Sequence, residues 1–187
     1  YYDAMIGRYF AGLENETFPE RTAIGLLKES SLRYGENPHQ NAAVYQDAMT
    51  TSLMTGMTQL HGKELSFNNL NDLNTALELA SEFEEPAVAV IKHATPCAAA
   101  IGGTIYEAFV RAYEADKMCI FGGIVAMNKE MDAETATAMD EIFLEIVAAP
   151  SYSEQALEIL KKKKNLRILV INFNNKKSAI DVKFTSG

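Results

Sequence analysis

Lys92 and His93 stand side by side where an apolar run, Ala87 to Ile91, gives way to Ala94-Thr95-Pro96-Cys97. An ammonium next to an imidazole is an acid/base pair: the neutral ring accepts a proton near neutral pH, and the cation stabilises negative charge developing beside it. The apolar run reads as a strand that ends in a turn, and ligands of α/β sheets sit at strand ends. The histidine also has a plain structural use there, as a hydrogen-bonding partner of its neighbours.

Three further stretches concentrate polar groups. In Arg33-Tyr34-Gly35-Glu36-Asn37-Pro38-His39-Gln40, Arg33 can grip a phosphate with two N–H groups while Tyr34 stacks or donates; read without function, the segment is a solvated connection. Gly62 to Leu70 leads into a helix, so free backbone N–H groups and the Asn69 amide can hold a polar ligand, or Asn69 can simply sit near the cap. Phe121-Gly122-Gly123 opens another strand, where the glycines either admit a ligand to the backbone or form a tight turn. Pro96-Cys97 matches half of the Pro-Cys-x-x-Cys signature of zinc deaminases, but position 100 is Ala and Cys119 is the only other cysteine. No metal is therefore expected, and Cys97 reads as a small buried residue.

The elements that must position these groups alternate. A helix over the first residues keeps Met5, Ile6, Tyr9, Phe10 and Leu13 on one buried face, and strands are expected at Thr22 to Leu27 and Ala42 to Gln46. An amphipathic helix over Asp72 to Phe83 precedes the strand Ala87 to Ile91; a small-residue turn and a helix from Ile105 to Ala115 follow. Ile124 to Met127 is a strand, Asp132 caps a helix, Ser151 and Glu154 have capping-box spacing for another, and Leu166 to Phe173 is a strand. Lys161 to Lys164 reads as a solvated helix end. This alternation implies an α/β fold with a mixed, mainly parallel sheet covered by helices on both faces, with one antiparallel member among the early strands.

At 187 residues and 48% hydrophobic content the chain can bury a full core. A net charge of −8 leaves no cationic surplus for a nucleic-acid backbone, and no apolar run of membrane-spanning length interrupts the sequence. Two cysteines cannot form a disulfide framework, so a reducing cytoplasm is the expected compartment. The chain begins in a helix without Met, and Ala179 to Phe184 reads as a strand with no closing element. Both ends are expected to continue into a longer polypeptide.

Five segments, Leu32 to Gln40, Gly62 to Leu70, Lys92 to Cys97, Phe121-Gly122-Gly123 and Ile142 to Pro150, occur in an order that resembles the bifunctional AICAR transformylase/IMP cyclohydrolase family of purine synthesis. The resemblance is to the first half of the transformylase part and covers nearly the whole chain. It implies a cytidine-deaminase-like α/β/α sandwich without zinc, with residues 1–20 following a cyclohydrolase domain and 21–187 forming the first of two transformylase subdomains. It implies transfer of a formyl group from 10-formyltetrahydrofolate to the 5-amino group of AICAR in a cytoplasmic homodimer, with IMP cyclohydrolase activity elsewhere in the longer protein.

By the same resemblance His93 is the proton acceptor, and Lys92 assists folate departure or stabilises charge. Arg33 and Tyr34 meet the AICAR nucleotide, Asn69 lies near the reacting groups, Phe121 and Gly122 line the two pockets, and Glu145 contacts AICAR. The sequence departs from the family pattern at Thr95, where Asn or Ser is frequent, and at Ala98, where Gly is common. The alternative is a non-catalytic nucleotide-binding or dimerisation module of the same fold.

Overall fold

A computed structural model describes residues 1–13 and 18–175; the strand expected at 179–184 lies outside them. Six strands form one mixed sheet in the order β3-β8-β7-β6-β4-β5, comprising β3 (Thr58–His61), β4 (Ala87–Lys92), β5 (Thr95–Ile101), β6 (Ile124–Met127), β7 (Ile146–Ala149) and β8 (Arg167–Val170). The β6-β7-β8 pairings are parallel, and β3-β8, β4-β6 and β4-β5 are antiparallel. Four strands thus share one direction, but most pairings are antiparallel, which corrects the expectation of a mainly parallel sheet. The tight β4-β5 hairpin turns the chain back antiparallel, and the crossover through α3 then lays β6 on the other side of β4 in the direction of β5, so β4 is antiparallel to both neighbours.

Strict alternation splits the core into two layers. On one face Val88, Val90, Val125, Met127, Val147 and Ile168 meet Phe109 of α3 (Ile105–Ala115), Met139 beside α4 (Ala133–Ala138) and Leu160 of α5 (Glu154–Leu160). On the other, Ala89, Ala126 and Ala148 form a shallow floor on which Leu73 and Leu77 of α2 (Phe67–Ala80) rest. Both faces of the central strands are buried, so β4, β6 and β7 read as unbroken apolar runs. The arrangement is the expected three-layer sandwich.

Each of the later helices starts on a side-chain cap. Ser66 Oγ accepts from Asn69 N, Thr104 from Glu107, Asp132 from Thr135 and Ser153 from Ala156. The α5 cap is therefore Ser153, two residues after the position expected from spacing; Ser151 instead bonds Glu130.

Outside the sandwich, α1 (Tyr2–Leu13) packs near a separate hairpin of β1 (Leu26–Leu32) and β2 (Ala42–Asp47). The periodicity correctly indicated a helix, but α1 has no buried residue, and Tyr9, Phe10 and Leu13 are exposed. The first hairpin strand also begins later than expected, with the paired residues running from Leu26 to Leu32.

Candidate functional site

The segment after Ala94, expected as a small-residue turn, is strand β5. Lys92 pairs with Thr95, so the β4-β5 connection consists of His93 and Ala94 alone. Both have positive φ, 88° and 42°, the pattern of a two-residue type I′ turn, which normally selects Asn and Gly. For residues with a Cβ this region costs roughly 1–2 kcal/mol each. The exposed imidazole is thus carried at the apex of a strained turn.

Two contacts fix that turn from opposite sides. Asp72 Oδ1, on the second turn of α2, accepts the Ala94 N–H at 2.7 Å. Lys92 Nζ donates to the Phe121 carbonyl at 2.8 Å. A hydrogen bond to a charged acceptor contributes about 1.5–3 kcal/mol, the same size as the strain it opposes.

Beside the turn lies a cleft of about 540 Å³ lined by Tyr34, Asn69, His93, Gly122 and Glu145 together with Ser66, Asn68, Asp72 and Arg167. Five of the eight residues expected from sequence therefore share one wall-to-wall space. Lys92 and Phe121 do not line it; they are joined to each other, next in the chain to His93 and Gly122, which do. Arg33 faces an adjacent hollow of about 370 Å³ beside Val44, Met57 and Leu70, its guanidinium 4.9 Å from the centre of the Tyr34 ring, a cation–π contact that fixes the ring.

Local folding explains most of these positions. The polar segment after β1 is docked on the start of α2, where Phe67 N–H donates to Tyr34 O and Asn68 Nδ2 to Glu36 O. Asn69 completes a capping box, with Oδ1 accepting from Ser66 N; that box does not use its side-chain Nδ2. Gly122, at φ 75°, turns the chain so that its N–H meets Phe143 O at 2.7 Å. The Phe121 ring is consequently 58% exposed, tilted against Phe143 at 5.3 Å.

Two contributors were not anticipated, Asp72 and Arg167. Asp72 follows Asn69 by three residues on the same helix, so the periodicity that places one on the cleft places the other. Arg167 is a charge opening an otherwise apolar strand, and it is buried, with Nη1 on Glu145 Oε2 at 2.8 Å and both Nε and Nη2 on Glu64 O.

Lys163 corrects another expectation. Its Nζ donates to Met139 O and Ile142 O, both at 2.7 Å, and burial lowers its pKa, so this member of the lysine run is a tie between α5 and the segment before β7. Cys97 is half-buried with its thiol directed at the Cys119 carbonyl, and burial pushes its pKa up. Among the described residues no three His, Cys, Asp or Glu side chains cluster to hold a metal ion, and no helix is long and apolar enough to cross a membrane.

Chemically, the cleft offers an exposed base on a rigid turn, a cation beside it, and carboxylate and amide groups for N–H and O–H groups of a polar ligand. A family model described as the AICARFT/IMPCHase bienzyme matches residues 1–187. The chain is 53% identical over 173 residues to the bifunctional purine biosynthesis protein PurH of Anoxybacillus flavithermus, covering 92% of this chain and 34% of that protein. It is 52% identical to PurH of Listeria monocytogenes over the same shares, and 51% identical over 179 residues to PurH of Bacillus mycoides. The chain spans about a third of the length of these curated relatives.

Proposed function

The chain belongs to the AICARFT/IMPCHase bienzyme family, and from that premise we propose that it supplies the base-carrying half-site for formyl transfer from 10-formyltetrahydrofolate to the 5-amino group of AICAR. The longer protein also has IMP cyclohydrolase activity in this reading and works as a cytoplasmic homodimer. Residues 1–20 follow the cyclohydrolase domain, and 21–187 are the first of two transformylase subdomains. The observation that carries the reading is the Lys92-His93 turn held rigidly at a polar cleft, within a sequence matched end to end by the family model.

The amine of AICAR is a weak nucleophile because its lone pair is delocalised into the ring and carboxamide. As it attacks the formyl carbon and the C–N bond forms, His93 removes the amine proton. Lys92 stabilises the oxyanion of the tetrahedral intermediate, which collapses as the bond from the formyl carbon to the folate nitrogen breaks and the proton held by His93 passes to that nitrogen, so that it departs as a neutral amine. Arg33 and Tyr34 meet the nucleotide, Asn69 and Glu145 receive polar groups of AICAR near the reacting amine, and Phe121 and Gly122 form the shared wall toward the folate.

The test is His93→Ala in the full-length protein. Formyl transfer should fall by about 10²–10⁴-fold, the usual worth of a positioned general base, while cyclohydrolase activity is unchanged. Transfer within a few-fold of the unmodified protein would overturn the role.

A further inference from the structure

The turn that carries His93 is held in an unfavourable backbone conformation by a group that nothing in the proposed chemistry uses. We infer that Asp72 is a positioning residue: its carboxylate clamps the Ala94 N–H and so keeps the His93 backbone, and with it the imidazole, at the mouth of the cleft. This rests on the formyl-transfer reading for its functional consequence, but the clamp itself is a statement about geometry.

The turn has no glycine to relieve it, since His93 and Ala94 both have positive φ. It is also exposed on its outer side, so little packing holds it there. Its tether to the α2 layer is the 2.7 Å bond from Ala94 N–H to Asp72 Oδ1. The base of the tether is rigid: α2 begins at the Ser66–Asn69 capping box and buries Leu73, immediately after Asp72, in the core. Lys92, on the other side, is anchored by its own contact to Phe121 O. A strained two-residue turn between two fixed points keeps one conformation only while both points hold. Without Asp72 the turn can relax toward backbone conformations that suit residues with a Cβ, and the imidazole moves with it.

The experiment uses the full-length protein with four variants and two readouts. Asp72→Ala should lower kcat about tenfold or more, with KM for AICAR changed by less than about threefold, since near-attack geometry and not ligand binding is what the clamp supplies. Asp72→Asn, which keeps an oxygen acceptor at the same place, should retain most activity. In the Asp72→Ala background, adding Ala94→Gly should restore kcat to within a few-fold of Ala94→Gly alone, because glycine holds positive φ without external help.

The second readout does not depend on catalysis: exchange of the Ala94 amide hydrogen should be faster in Asp72→Ala than in the unmodified protein or Asp72→Asn. A double variant as impaired as Asp72→Ala, or unchanged Ala94 exchange, overturns the clamp. If the protein shows no formyl transfer at all, the functional reading fails, and the exchange measurement still decides the clamp.

Discussion

Arg167, at the start of β8, holds Glu145, immediately before β7, through a 2.8 Å contact from Nη1 to Oε2 in which the cationic side chain is 9% exposed and the anionic one 38%. The sheet register sets up the pair. β7 and β8 run parallel with Ile146 opposite Arg167, and Arg167 N–H donates to the Glu145 carbonyl. The same guanidinium ties down the Glu64 carbonyl, so one buried cation organises the approach to α2 and one carboxylate of the cleft.

Removing one partner of a buried ion pair leaves the other charge buried and uncompensated. Glu145→Gln should therefore destabilise the protein by about 1–3 kcal/mol, below the roughly 3–5 kcal/mol for breaking a fully buried pair because the carboxylate is partly solvated. Urea unfolding of the variant measures this. A change below about 0.5 kcal/mol, typical of a surface substitution, would mean that water replaces the carboxylate without loss.

Glycine substitutions separate space from backbone strain. At Gly122, φ is 75° but the nearest atom to an added Cβ is 3.7 Å away, so Gly122→Ala meets only the strain of positive φ, about 1–2 kcal/mol. At Gly62, φ is 95° and the Cβ would lie 2.3 Å from the Leu166 carbonyl oxygen, in backbone that cannot swing aside. Gly62→Ala should destabilise clearly more than Gly122→Ala and loosen the Glu64–Arg167 contact next to it. Equal midpoints in thermal melts of the two variants would contradict the close approach of Gly62 to the Leu166 carbonyl.

Lys92 has a structural contact and a proposed chemical role, and kinetics distinguishes them. Lys92→Met in the full-length protein should lower kcat for formyl transfer by about 10²–10³-fold, the scale of one lost oxyanion donor. Lys92→Arg should not restore it, because a planar guanidinium cannot reproduce a compact ammonium held at one carbonyl. A loss confined to stability, with kcat unchanged in the folded fraction, would leave Lys92 as a tie to Phe121 alone.

The parts of the fold that could be read from sequence are those where one pattern dominates. Ala87 to Ile91 and Ile124 to Met127 are unbroken apolar runs and prove to be central strands, and the 3.6-residue rhythm of Leu73, Ala76, Leu77 and Ala80 marks the buried face of α2. Strand β5 was hidden because Thr-Pro-Cys-Ala-Ala-Ala-Ile resembles a turn; Pro96 is tolerated there because β5 lies at the sheet edge. The apolar stripe of α1 indicated a helix correctly and burial wrongly, since periodicity reports which face is apolar and not whether anything covers it. The cleft was legible where a polar residue or a glycine stands at an element end, as at His93 and Gly122. It was illegible where the signal is a contact between distant segments: nothing local links Asp72 to Ala94 or Arg167 to Glu64.

The attachment of α1 to the hairpin should depend on acid in a specific direction. Arg8 Nη1 reaches both carboxylate oxygens of Asp47, at 2.8 and 2.6 Å. Burial acts to raise the Asp47 pKa, but the Arg8 hydrogen bonds, the Met49 N–H, the Arg8 charge and Thr50 outweigh it, and the net shift is downward from the ordinary 3.8. A carboxyl with a depressed folded pKa contributes stability that is fully present above its unfolded value and is lost as pH falls through the folded one. The contribution is modest, on the order of 1 kcal/mol or less for a pair in partial contact with solvent, yet α1 has no buried residue to hold it otherwise. Acidification below pH 3.8 should therefore shift the backbone amide NMR signals of α1 before those of the sandwich, and Asp47→Asn should abolish that separate transition while leaving α1 loosely attached at neutral pH. An acid transition of α1 that is identical in Asp47→Asn would show that another group controls it.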